Sequence, residues 1–94
     1  MNVALGTAYL GGLLQRFGGV VPYAVAAYNA GPHRVDRWLA DNGDPGRTPA
    51  AGADDAQAQM VDWIETIPFA ETRNYVQRVM ENMGIYGSDG NNRT

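Results

Sequence analysis

Two short stretches hold the residues of this chain best suited to chemistry on a polar ligand: Tyr28 and Asn29 within AYNAGP (residues 27–32), and Glu71, Asn74 and Tyr75 within IPFAETRNYV (67–76). Tyrosine offers an apolar ring with a polar tip, and an amide both donates and accepts, so the first pair can line a sugar site. Asn followed by Ala-Gly-Pro is equally good turn chemistry, and Tyr28 can serve the core instead, so local chemistry leaves both readings open. In the second stretch Asn74 and Tyr75 follow Glu71 by three and four residues, one helical turn on. A carboxylate at a helix start is favoured by the dipole by about 0.3–1 kcal/mol whether or not it serves a site, and Arg73 and Arg78 read as solvated. Glu65 and Glu71 do not read as a glycosidase pair, because Pro68 and a change of helix separate them. His33 is the only histidine and there is no cysteine, so no metal cluster, disulfide or cofactor is implied, and His33 is expected on an exposed face.

The elements that must position these residues read as about five short helices, an all-α fold. Leu10, Leu13, Leu14 and Phe17, with Val3, mark one face of a helix over residues 3–17, which Gly18 and Gly19 end. From Val20 to Ala30 the chain is almost wholly apolar, which predicts a short buried helix with Pro22 in its first turn. Gly31 sits where a left-handed cap is expected and Pro32 can open the next helix, so 29–32 should form a sharp corner. A third helix over 32–41 should bury Val35, Trp38 and Leu39 and expose Arg34, Asp36 and Arg37. NGDPGRTPAAGA (42–53) is a surface loop by composition. A fourth helix, capped by Asp54 or Asp55, carries Met60, Trp63 and Ile64 on one face, and both tryptophans read as core. Thr66 is expected to cap the last helix, whose apolar stripe runs through Val76, Val79, Met83 and Tyr86, and GSDGNNRT (87–94) should be a disordered tail.

Ninety-four residues suit one small domain. A net charge of −3, with every one of the seven basic residues an arginine, argues against nucleic acid as a partner. No apolar run approaches the roughly 20 residues that span a bilayer, and no signal peptide is visible.

Four stretches together resemble the C-terminal half of the soluble lytic transglycosylase catalytic domain, a goose-lysozyme-like helical fold: NVALGTAYLGGLLQRFGG (2–19), AYNAGPHRVDRWL (27–39), DWIETIPFAETRNYVQRVMEN (62–82) and IY (85–86). The resemblance covers residues 2–86, and 1–86 is read as this portion of the domain. It implies cleavage of the β-1,4 bond between N-acetylmuramic acid and N-acetylglucosamine in peptidoglycan, one Glu acting as acid and then base to give a 1,6-anhydro product, in the periplasm or cell envelope. It also implies that Tyr28 supports the catalytic Glu, that Asn29, Ala30 and Gly31 shape the cleft floor, and that Glu71 and Tyr75 contact the sugar or its flanking groups. The family's catalytic ES motif and its GLMQ motif do not occur, and no Asp or Glu precedes Asp36. Loss of the acid alone removes a factor of about 10²–10⁴ in rate. The expectation is therefore a fragment without lytic activity of its own, the runner-up being a non-catalytic peptidoglycan-binding module. Its expected partners are glycan strands, a separate N-terminal half, or a second copy met through an exposed apolar face.

Overall fold

A helix that is apolar all round has to be buried, and the run after Gly19 obeys that rule. In the computed structural model, which describes residues 7–46 and 53–84 with the side chains of 53–55 excepted, this run forms α2, Val21–Ala30. Ala24, Ala26 and Ala27 are 0% exposed, and such small side chains let three neighbouring helices approach the α2 backbone closely. The neighbours are α1 (Thr7–Arg16), α3 (Pro32–Asn42) and α5 (Ala70–Asn82), while α4 (Ala53–Glu65) packs against α5. Among the described residues there is no strand, in keeping with the all-α expectation.

Each outer helix turns a short apolar stripe toward α2. Leu13 and Phe17 come from the α1 side, Val35 and Trp38 from α3, Trp63 and Ile64 from α4 with Ile67 just beyond it, and Val76, Val79 and Met80 from α5. Both tryptophans lie in the core as expected, Leu39 is only half-buried, and Arg34, Asp36, Arg37 and His33 face solvent. Gly18 and Gly19 end α1 with φ of 68° and 83°, a region where a Cβ is costly, and the Gly19 N–H closes the turn on the Leu14 carbonyl at 2.7 Å. An exposed ion pair at 2.6 Å, Arg16 to Asp36, ties α1 to α3 and is worth about 0–1 kcal/mol.

Tyr23, on α2, anchors the start of the connection to α4. Its hydroxyl donates to Asp44 at 2.7 Å and accepts the Gly46 N–H at 2.8 Å, while its ring lies 4.7 Å from that of Trp63. Asp54 and Asp55 fall inside the first turn of α4 rather than at its cap. Three expectations for the last two helices need correction. Thr66 does not cap α5; its hydroxyl donates to the Trp63 carbonyl at 2.6 Å, closing the end of α4, and α5 begins after Phe69 with no side-chain cap. Arg73 is not simply solvated, since its guanidinium donates to the Ile67 carbonyl at 2.8 Å and so braces the turn between the two helices. Met83 is 51% exposed because Thr72, Val76, Val79 and Met80 define the buried face, which rotates Met83 out of it. Val3, Tyr86 and the 87–94 tail lie outside the described residues. No described helix is long and apolar enough to cross a membrane.

Candidate functional site

The end of α2 and the start of α5 meet, and a side-chain hydrogen bond joins them. Thr72 is 2% exposed, and a hydroxyl so buried needs a partner. It donates to Asn29 Oδ1 at 2.6 Å. With its oxygen engaged, the Asn29 amide has a fixed orientation and keeps its NH2 to donate to a ligand.

Around this bond lies a groove of about 420 Å³ lined by Asn29, Ala30, Arg34, Phe69, Glu71 and Thr72. Three residues singled out in the sequence, Asn29, Ala30 and Glu71, thus share one surface although 34 residues lie between the two stretches. Glu71 is exposed in the first turn of α5, where the helix dipole favours its carboxylate. It lacks the apolar enclosure that keeps a general acid protonated, so it can accept hydrogen bonds from a ligand but is not placed as a proton donor.

Gly31 holds the corner behind the groove. Its φ of 103° and ψ of 144° are positive as expected but extended rather than left-handed helical, a region open essentially to glycine alone. Its N–H caps α2 on the Ala27 carbonyl at 2.8 Å, and Pro32 then opens α3 at a position where no backbone donor is needed. Gly31 does not line the groove.

Nor do Tyr28 and Tyr75, which are neighbours at the same junction of α2 with α5. Both are partly buried against the core. Burial pushes the Tyr75 phenol above its ordinary value of 10.0, and the neighbouring Tyr28 adds to the effect. The Tyr28 ring is met at 5.7 Å by that of Tyr9 from α1, which is 54% exposed.

Sequence reasoning missed four participants. Thr72 left a signal, being a polar residue on the buried stripe of α5 four positions before Val76. Tyr9 and the pair formed by Arg34 and Phe69 left none. The Arg34 guanidinium lies 4.7 Å over the Phe69 ring, and Phe69 stands edge-on to Trp38 at 5.5 Å, contacts that exist only once α3 and α5 are packed. Among the described residues no three His, Asp or Glu side chains cluster to hold a metal ion.

Donors, a carboxylate and an aromatic face around an open groove are the means of binding a sugar. The family model for the transglycosylase SLT domain matches residues 1–50, and that for the soluble lytic transglycosylase helical domain matches residues 66–88. The soluble lytic murein transglycosylases of Salmonella typhimurium and Escherichia coli are 44% and 43% identical to this chain over 79 residues, 84% of this chain and 10% of each relative. A putative soluble lytic murein transglycosylase of Haemophilus influenzae is 37% identical over 79 residues, 84% of this chain and 11% of its own length. The chain spans about a tenth of the length of the curated relatives it matches. No solved structure gives a significant match. With more than half of its residues matched by the first model, the chain belongs to the transglycosylase SLT domain family.

Proposed function

We propose that these residues form part of the glycan cleft of a lytic transglycosylase that cuts the β-1,4 bond between N-acetylmuramic acid and N-acetylglucosamine and leaves a 1,6-anhydro ring. The observation that carries this reading is the bond from Thr72 to Asn29, which draws the two motifs around one groove. Asn29 and Ala30 form its floor, Glu71 accepts hydrogen bonds from sugar hydroxyls or N-acetyl groups, and Phe69 offers an apolar face for a pyranose ring. Gly31 sets the corner that keeps Asn29 in place. Tyr28 supports the acid that protonates the leaving oxygen, and Tyr75 fixes the position of Tyr28. The relatives are named for murein, and the periplasm or cell envelope is the compartment where this chain would meet that substrate.

A second reading concerns the 94 residues acting by themselves. No carboxylate precedes Asp36, Asp36 is exposed and paired with Arg16, and Glu71 lacks enclosure. Alone, these 94 residues therefore hold glycan without cutting it, and cleavage requires an acid from outside them. Incubation of the purified chain with peptidoglycan sacculi tests both parts. Co-sedimentation that Asn29→Ala weakens, with no soluble 1,6-anhydromuropeptide, is expected. Failure to co-sediment would remove the glycan-cleft reading, and release of anhydro product would remove the claim that an outside acid is needed.

A further inference from the structure

Asn42 and Gly43 form the only Asn-Gly pair in the sequence, and they stand where α3 ends and the connection to α4 begins. Asn42 is exposed, and Gly43 has open space where a Cβ would lie, so nothing shields the backbone nitrogen between them on that side. Attack by this nitrogen on the Asn42 side-chain carbonyl closes an unstrained five-membered ring. One bond holds the reaction back: the Gly43 N–H caps α3 on the Leu39 carbonyl at 3.0 Å, and a nitrogen so engaged is not available as a nucleophile. Helix ends are where such bonds open most readily.

We propose that Asn42 is a site of spontaneous covalent modification, gated by the cap that Gly43 places on α3. When the last turn opens, the Gly43 nitrogen loses its proton to hydroxide and bonds to Asn42 Cγ, ammonia leaves, and a cyclic imide joins the two residues. Water then opens the imide at either carbonyl, leaving an aspartate at position 42 or an isoaspartate whose backbone runs through the former side chain. The sum is one amide and one water giving one carboxylic acid and one ammonia, with no oxidant or reductant. Both products put a negative charge near Asp41 and Asp44 at the C-terminal end of α3, where the dipole disfavours it. The isoaspartate does more, because its extra backbone methylene shifts the residues after Gly43 relative to α3. Those residues fit closely: Asp44 accepts the Tyr23 hydroxyl at 2.7 Å, Gly46 donates to the same hydroxyl at 2.8 Å, and a Cβ on Gly46 would stand 2.9 Å from Val20. Ageing at Asn42 therefore loosens the start of the α3 to α4 connection from its anchor on Tyr23. The inference is independent of the glycan reading.

Incubation of the 94-residue chain in warm, mildly alkaline buffer, followed by trypsin and mass spectrometry, tests this. Cleavage after Arg37 and Arg47 isolates residues 38–47, in which Asn42 is the single asparagine. That peptide should separate into two acidic forms, the isoaspartyl one predominating and accepting a methyl group from a protein isoaspartyl methyltransferase. Conversion should run about tenfold slower in the folded chain than in a synthetic 38–47 peptide, a ratio set by how seldom the last turn of α3 opens. The aged chain should melt lower than the fresh one, whereas freshly purified Asn42→Asp, which carries the charge without the longer backbone, should melt close to wild type. Asn42→Gln, which keeps an amide but would have to close a six-membered ring, should age without change. An intact amide at position 42 after the free peptide has converted would overturn the proposal, and conversion at the rate of the free peptide would overturn the gating by the Gly43 cap. A drop in melting temperature that Asn42→Gln shares on incubation would overturn the effect on the Tyr23 anchor.

Discussion

Thr72 and Asn29, 43 positions apart, are joined by a 2.6 Å hydrogen bond that ties the first turn of α5 to the last turn of α2. This bond orients the amide facing the candidate groove, so its loss should be felt twice. Thr72→Val keeps the shape and removes the donor, and should lower stability by about 1 kcal/mol in urea denaturation. It should also weaken glycan binding by more than that loss of folded population explains, whereas Thr72→Ser should keep both properties near wild type. Unchanged binding in Thr72→Val would show that the amide is positioned by something else.

Two glycines predict opposite signs for the same substitution. Gly31 has φ of 103° with open space around the missing Cβ, so Gly31→Ala meets no clash but is forced into a strained backbone, at a cost of about 1–3 kcal/mol. Gly12 is exposed inside α1, again with open space, and Gly12→Ala should stabilise by about 0.4–1 kcal/mol. Thermal denaturation should therefore shift down for the first variant and up for the second.

Tyr75 gives a pH prediction. Its phenol is raised above 10.0 by burial first and by Tyr28 second, so the folded state favours the neutral form. The resulting contribution to stability is fully present below pH 10 and is lost as pH rises through the raised value. Absorbance titration of phenolate should show a late-titrating tyrosine that disappears in Tyr75→Phe. Tyr28→Phe should lower that titration only in part, because burial, the larger cause, remains.

How much of this could be read from residues alone depends on whether a feature is local. The five helices and the burial of α2 were legible because apolar spacing reports directly on a helix face, and the corner at Gly31 and Pro32 was legible because those residues have few other backbone options. Thr66 was misread because a Thr just before a Pro-containing turn serves either neighbouring helix, and only the packed chain shows it bonded back to Trp63. Met83 was misread because extending the stripe from Val76 and Val79 ignores the turn of the face toward Thr72 and Met80. Asn29 and Glu71 were singled out by motif, but that they face one groove, with Arg34 over Phe69 as its wall, follows from the packing of α2, α3 and α5 and has no signature in either stretch.

We propose that copies of this chain meet at an apolar groove of about 340 Å³, rimmed by the half-buried Val21, Met60 and Val61 over the buried Pro22, Ile64 and Met80. Sedimentation velocity should show a weight-average mass that rises with concentration, and a Met60→Glu variant should suppress the rise. A concentration-independent monomer would count against a copy-to-copy contact there.

The central claim, that the meeting point of α2 and α5 binds glycan, is tested most directly by nuclear magnetic resonance of the labelled chain titrated with soluble N-acetylglucosamine tetramer. Saturable shifts should appear at the Asn29 side-chain amide and at the backbone amides of Ala30, Glu71 and Thr72, and Asn29→Ala should abolish saturation. Shifts confined to other surfaces, or no saturable shift at millimolar ligand, would contradict the account.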